Sequence, residues 1–155
     1  MVVGSTGLIG SSLVHQLIEG GEPVKALTRG DQLTSNSILE YIKVDFDALE
    51  LNSESFSDIK DIYICLGTTI KKAGSKAAFQ KVDIQYCIDV AREAEKNGVR
   101  NLSIITSIGS DSRSSNFYLK TKGLAENQIR ALNFDSISIY RPGLLIGSRE
   151  SSQPK

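Results

Sequence analysis

Two small sets of residues carry the chemistry legible in this chain: three glycines spaced by three, and a tyrosine and lysine spaced by four. The first lies in Met1-Val2-Val3-Gly4-Ser5-Thr6-Gly7-Leu8-Ile9-Gly10. Gly4 permits a sharp turn off a short apolar strand, Gly7 removes the Cβ that would hold a pyrophosphate away from peptide N–H groups, and Gly10 lets the following helix pack closely. The N–H groups around Thr6, Leu8 and Ile9 then open a helix and attract an anion, helped by the helix dipole. Leu8, Leu13 and Leu17, with Ile9, Val14 and Ile18, recur at helical spacing, and Gly20-Gly21 ends the run.

The second set is Thr106-Ser107 followed by Asn116-Phe117-Tyr118-Leu119-Lys120-Thr121-Lys122-Gly123. Tyr118 and Lys122 share one helix face, continuous with Ala125, Ile129 and Leu132. That apolar stripe has to face a sheet, so the phenol and the ammonium point inward, where an ammonium needs a ligand or a polar network. A phenol, which ionises near pH ~10 when free, becomes a useful acid or base near neutrality only if its anion is stabilised. A cation one turn away does that.

The elements that position these residues alternate. Strands are expected at Val24–Thr28, Tyr41–Val44, Asp61–Leu66, Leu102–Thr106 and Ser136–Tyr140, and the Asp61–Leu66 run is apolar enough to be buried on both sheet faces. Between them, Phe79, Val82, Tyr86, Val90 and Ala94 mark a long helix ended by Asn97-Gly98, and another runs from about Asn116 to Leu132. This alternation predicts an α/β fold, a doubly wound parallel sheet with helices on both faces, in a single domain spanning 1–155.

Ligands of such sheets bind at the carboxyl ends of the strands. After the second strand, where an acidic residue would select NAD, stands Thr28-Arg29-Gly30, and the Arg29 fork suits the 2′-phosphate of NADP. Arg29 is otherwise a solvated loop cation, and Asp31 is within reach of a ribose, which keeps NAD possible. Asp45 either hydrogen-bonds an adenine amino group or caps the next turn. Leu66-Gly67-Thr68-Thr69 offers close backbone approach and two hydroxyls beside the cofactor's ribose and phosphates.

At 155 residues, with Lys plus Arg equal to Asp plus Glu at 18 each, no bulk field recruits nucleic acid or an acidic membrane. No segment approaches a membrane span, and the chain opens within a strand without a basic and apolar leader, so a cytoplasmic protein is expected. Cys65 and Cys87 lack metal-ligand spacing, as does His15, so no metal site is expected. Lys71, Lys72, Lys76 and Lys81 around Ala73-Gly74-Ser75 read as a solvated flexible loop, with an anion-binding lid as the alternative.

Taken together, Gly4, Gly7, Gly10, Ser107, Tyr118 and Lys122 resemble the short-chain dehydrogenases/reductases. Leu66-Gly67-Thr68-Thr69, Phe79 to Val82-Asp83, Ser115-Asn116-Phe117-Tyr118 and Tyr140-Arg141-Pro142-Gly143 are similar to the atypical branch that contains the Tat-interacting-protein oxidoreductases. The resemblance implies an NAD(P)-binding Rossmann fold and reduction of a carbonyl, or oxidation of an alcohol, in a small-molecule substrate. It makes Tyr118 the general acid, has Lys122 bind the nicotinamide ribose and lower the phenol's pKa, has Ser107 hydrogen-bond the substrate oxygen, and runs Pro142 and Gly143 past the nicotinamide amide. Relatives on the same fold also include nucleotide-sensing regulatory proteins and nucleotide-sugar epimerases. Compared with the family, the opening strand is clipped and the segment that covers the substrate is expected beyond Gly143.

Overall fold

Short apolar runs bounded by glycine turns leave the chain few choices but to pair side by side. The computed structural model describes residues 1–30 and 35–146; Asp31 and the polar tail from Ser148 onward lie outside the described residues. Six strands form one parallel sheet: β1 (Val2–Val3), β2 (Val24–Thr28), β3 (Leu39–Lys43), β4 (Asp61–Ile64), β5 (Asn101–Ile105) and β6 (Ser136–Tyr140). Their order is β3-β2-β1-β4-β5-β6. The chain reverses direction across the sheet between β1 and β4, and at that switch point the loops after the two strands diverge and open a crevice.

The helices are α1 (Leu8–Glu19), two short turns α2 (Ile70–Ala73) and α3 (Lys76–Gln80), α4 (Cys87–Lys96) and α5 (Phe117–Arg130). The lysine-rich segment read as a loop is therefore α2 and α3, whose starts are capped by the hydroxyls of Thr69 and Ser75. A π-helical turn over Lys81–Tyr86 joins α3 to α4. It has a consequence the regular helical period cannot anticipate. The wider turn displaces the buried stripe locally, so Asp83 is buried where Val82 was expected and Val82 and Tyr86 are half-buried, while Cys87, Val90 and Ala94 are buried as their places on the helix implied.

The larger core packs α4 and α5 against one sheet face through Phe56, Ile62, Ile64, Ile88, Leu102 and Ile129. The smaller sets α1 against β1 and β2 through Val2, Val14 and Ala26. β4 is not buried on both faces. Ile62 and Ile64 are fully covered, whereas Tyr63 and Cys65 turn to a cleft of about 420 Å³ that they share with Leu8, Leu13, Ile105 and Tyr140. Neither cysteine is bonded, and burial pushes the thiol of Cys65 up to about 11 and that of Cys87 to about 12. His15 is a surface residue, 3.2 Å from Glu19 one turn on.

Candidate active site

Parallel strands bring all their carboxyl ends to one edge, so the loops after β1, β2, β4, β5 and β6 collect the residues expected to act together. At its centre lies the glycine turn. Gly4 has φ +81°, and a Cβ there would stand 2.7 Å from the Cys65 carbonyl oxygen, so both conformation and space demand glycine. A Cβ on Gly10 would lie 2.2 Å from the Gly4 carbonyl oxygen, which leaves no room for one. Gly7 differs: its Cβ would meet only the Gly4 oxygen, at 3.3 Å, so its outer side is open. Ser5 Oγ donates to Leu27 O, tying the turn to β2.

The start of α1 has no side-chain cap and no acidic residue in its first turn. Its first N–H donors, at Leu8, Ile9 and Gly10, precede the first helical bond, in which Ser11 N–H donates to Gly7 O. Thr6 and Gly7 are exposed beside them. An uncapped helix start, a glycine with open space outside it and a glycine packed beneath it fit the pyrophosphate of a dinucleotide.

Around this turn, Arg29 projects from the end of β2, exposed and, among the described residues, without an ion-pair partner. Asp45 accepts the N–H of Asp47, so the turn-capping reading of this residue is realised. Leu66 packs on the core, Gly67 is exposed, and Thr69 accepts from Lys72 N–H while capping α2. After β6, Pro142 O accepts from Ile108 N–H, which brings Pro142 and Gly143 alongside the loop that carries Ser107.

Helix α5 begins at Asn116, whose side chain accepts the N–H of Leu119. It sits unusually close to the preceding loop, since a Cβ on Gly123 would lie 2.2 Å from Ser112 N. The expected inward stripe is present: Ala125 and Ile129 are buried, Lys122 is buried beside them, and the half-buried Tyr118 ring packs on fully buried Phe79, with centroids 5.7 Å apart.

The polar network that Lys122 requires is supplied by Asp83. Lys122 Nζ lies 2.6 Å from Asp83 Oδ1, with side-chain exposures of 7% and 0%. It is a close ion pair whose alignment falls short of a good hydrogen bond, so Oδ1 has a charge partner but no aligned donor. Oδ2 accepts the N–H of Thr68 at 3.0 Å. Burial alone would push the Lys122 ammonium down, but the Asp83 carboxylate outweighs it and holds the group above its ordinary value. Removing one member of such a pair costs about 3–5 kcal/mol, because the other charge is left buried alone.

A second buried carboxylate, Glu126, lies one turn beyond Lys122. It accepts from Thr106 Oγ1 at 2.7 Å and takes both arms of the Arg141 fork, Nε at 2.9 Å and Nη2 at 2.5 Å. Burial pushes its pKa up, yet the Arg141 and Thr106 bonds prevail and hold it below the ordinary glutamate range. This staple fixes the ends of β5 and β6 to α5. Sequence reasoning singled out neither Asp83 nor Glu126 for a role. For Glu126 the available signal was a charged residue on an otherwise apolar helical face; Asp83 stood only within the family-like stretch Phe79 to Val82-Asp83, and the π turn hid its inward position.

A family model described as NAD(P)H-binding matches residues 4–153. The chain belongs to this NAD(P)H-binding family. It is 37% identical to the mitochondrial protein FMP52 of Meyerozyma guilliermondii over 98% of this chain and 67% of that one. It is also 37% identical to HTATIP2 of Rattus norvegicus, over 72% of this chain and 46% of that one. Among solved structures, the Bordetella bronchiseptica enzyme WbmH in complex with NAD+ superposes with a TM-score of 0.80 at 16% identity, covering 99% of this chain and 58% of that one. MoeE5 in complex with UDP-glucose and NAD does so with a TM-score of 0.74 at 19% identity, over 90% and 52%. The chain thus spans about two thirds of the FMP52 relatives and about half of these solved proteins.

The atypical short-chain dehydrogenase/reductase resemblance and the Rossmann-like fold therefore hold. The cytoplasmic expectation does not: FMP52 relatives from several yeasts are named mitochondrial. That expectation rested on finding neither a membrane-spanning run nor a basic and apolar leader, and neither feature specifies a compartment. Among the described residues no helix is long and apolar enough to cross a membrane, and no cluster of three or more ligating side chains is present.

Proposed function

We propose that residues 1–155 form one NADP(H)-binding domain of an oxidoreductase that interconverts a carbonyl and an alcohol in a small-molecule substrate. The observation that carries this reading is the meeting, on one sheet edge, of an uncapped glycine-turn helix with the inward Tyr118 and Lys122 of α5. The N–H groups of the α1 start, with Gly4, Thr6, Gly7 and Gly10, would hold the pyrophosphate; Arg29 would take the 2′-phosphate; and Leu66 to Thr69 would line the path to the ribose.

When bound, the nicotinamide supplies or accepts hydride at the substrate carbon. Tyr118 then gives its phenolic proton to the substrate oxygen in reduction and recovers it in oxidation, while Ser107 donates a hydrogen bond to the same oxygen. Lys122, held charged, favours the phenolate and would bind the nicotinamide ribose. Phe79 keeps the Tyr118 ring in place. Pro142 and Gly143 would border the nicotinamide side.

Titration calorimetry with NADPH and NADH, followed by a turnover screen of carbonyl compounds with the chain extended to the length of its FMP52 relatives, tests the reading. Tighter binding of NADPH and turnover of at least one carbonyl are expected. Absence of binding by both nucleotides overturns it.

A further inference from the structure

A carboxylate buried at the sheet edge with one oxygen on a lysine ammonium and the other on a loop N–H connects three elements at once. Asp83 stands on the π-helical turn, Lys122 on α5, and Thr68 on the loop after β4. A Cβ placed on Gly67 would lie 3.6 Å from Lys122 Nζ and 3.7 Å from Asp83 Oδ1, so this glycine leaves the pair within reach of whatever occupies the crevice. The extra residue of the π turn brings a carboxylate, and not Val82, to the inward position.

We propose that Asp83 is a positioning residue of the site, holding the Lys122 ammonium charged and aimed at the Gly67–Thr68 loop. The proposal rests on the cofactor-binding reading above. Asp83 touches neither cofactor nor substrate in this scheme; it acts through Lys122. The titratable groups that face this ammonium are Asp83 from the π turn, Cys87 from α4 and Tyr118 from one turn earlier on α5. Of these, Asp83 alone is a carboxyl in direct contact with the ammonium; burial raises its pKa and the Lys122 charge opposes that rise, whereas Cys87 is a buried thiol held protonated.

Asp83→Asn keeps the shape but leaves one acceptor oxygen, without charge, for two donors. Lys122 is then a buried amine with no anion beside it and sheds its proton more readily. Acylation by acetic anhydride reads this directly, since only the neutral amine reacts. In the unchanged chain Lys122 should resist labelling at pH 8, as resolved by mass spectrometry, and in Asp83→Asn it should label at least tenfold faster. NADPH affinity, followed by nucleotide fluorescence, should fall about tenfold or more in Asp83→Asn and in Lys122→Met. Adding Asp83→Asn to Lys122→Met should change it less than twofold, because the partner through which Asp83 acts is already gone.

Unchanged labelling of Lys122 in Asp83→Asn overturns the proposal, as does an equal loss of affinity when Asp83→Asn is added to Lys122→Met. Should Asp83→Asn alone fail to fold, recovery of folded protein in the double variant supports the pair, and failure of both overturns it. If the unchanged chain binds neither nucleotide, the cofactor reading falls, while the labelling experiment still decides whether Asp83 governs Lys122.

Discussion

The starts of α1 and α5, both at the carboxyl edge of the sheet, are built on opposite principles. The first turn of α1 has no capping side chain and no acidic residue, and open space adjoins Gly7. The first turn of α5 is capped by Asn116, and the charges that follow on its inner face are matched by protein partners: Lys122 by Asp83, Glu126 by Arg141 and Thr106. At the α1 start the peptide N–H donors are left without a capping side chain. On the inner face of α5 each charge is satisfied within the protein, because an ionised group buried alone costs several kcal/mol.

If that contrast is functional, the largest effect belongs to the α5 side. Tyr118→Phe removes one hydroxyl and keeps the ring that packs on Phe79, so stability and nucleotide affinity should change little, while kcat for carbonyl reduction should fall about a hundredfold or more. Unimpaired turnover would remove Tyr118 from the mechanism.

On the α1 side the expected loss is of binding. Gly7→Val introduces branches into the open space and should weaken NADPH and NADH together, by roughly ten- to a hundredfold, with little change in the urea midpoint. Gly10→Ala should instead cost about 1–3 kcal/mol of stability, since its Cβ has no room against the Gly4 carbonyl. Loss of stability from both variants alike would erase the distinction between an open glycine and a packed one.

Smaller still is the effect of Arg29→Ala. The guanidinium is exposed, so the expected preference for NADPH over NADH is about tenfold, and this change should remove most of it while leaving NADH affinity in place. Equal calorimetric affinities in the unchanged protein would exclude Arg29 as the 2′-phosphate contact.

The subtlest test concerns the staple at Glu126. Its folded pKa is depressed, so the stability it contributes is fully present above the unfolded carboxyl's value, near pH ~4.3, and is lost as pH falls through the lower folded value. Glu126→Gln should therefore lower stability by about 1 kcal/mol at neutral pH, and the difference from the unchanged protein should narrow in acid. Urea unfolding at a series of pH values measures this, and a constant difference across them would show that the carboxylate's charge is not what holds Arg141.

Much of this was legible in the chain because it depends on local rules. Glycine spacing follows from backbone sterics, the strand and helix alternation from apolar period, and the inward face of Tyr118 and Lys122 from a separation of four residues. The boundaries of β2 and β6 match their expected limits. Misreadings arose where a neighbour distant in sequence overrode the local pattern. The Asp61–Leu66 run is apolar on both sides, yet Tyr63 and Cys65 face a cleft because α1 covers β1 and β2 more fully than β4. The lysine cluster looked like a loop because its two helical turns are each a turn long and are fixed by caps at Thr69 and Ser75.

The sequence by itself determined the glycine turn after β1, because a position that needs φ near +80° or lacks room for a Cβ leaves a glycine in the sequence. It also determined the order of elements and the side of α5 on which Tyr118 and Lys122 lie. Only the tertiary structure decided what pairs with them. Asp83 is 39 residues from Lys122, since 122 minus 83 is 39, and it reaches the ammonium through a π turn that no apolar period announces. Charge pairing across a sheet edge depends on distances between elements, and those are set by packing, not by spacing along the chain.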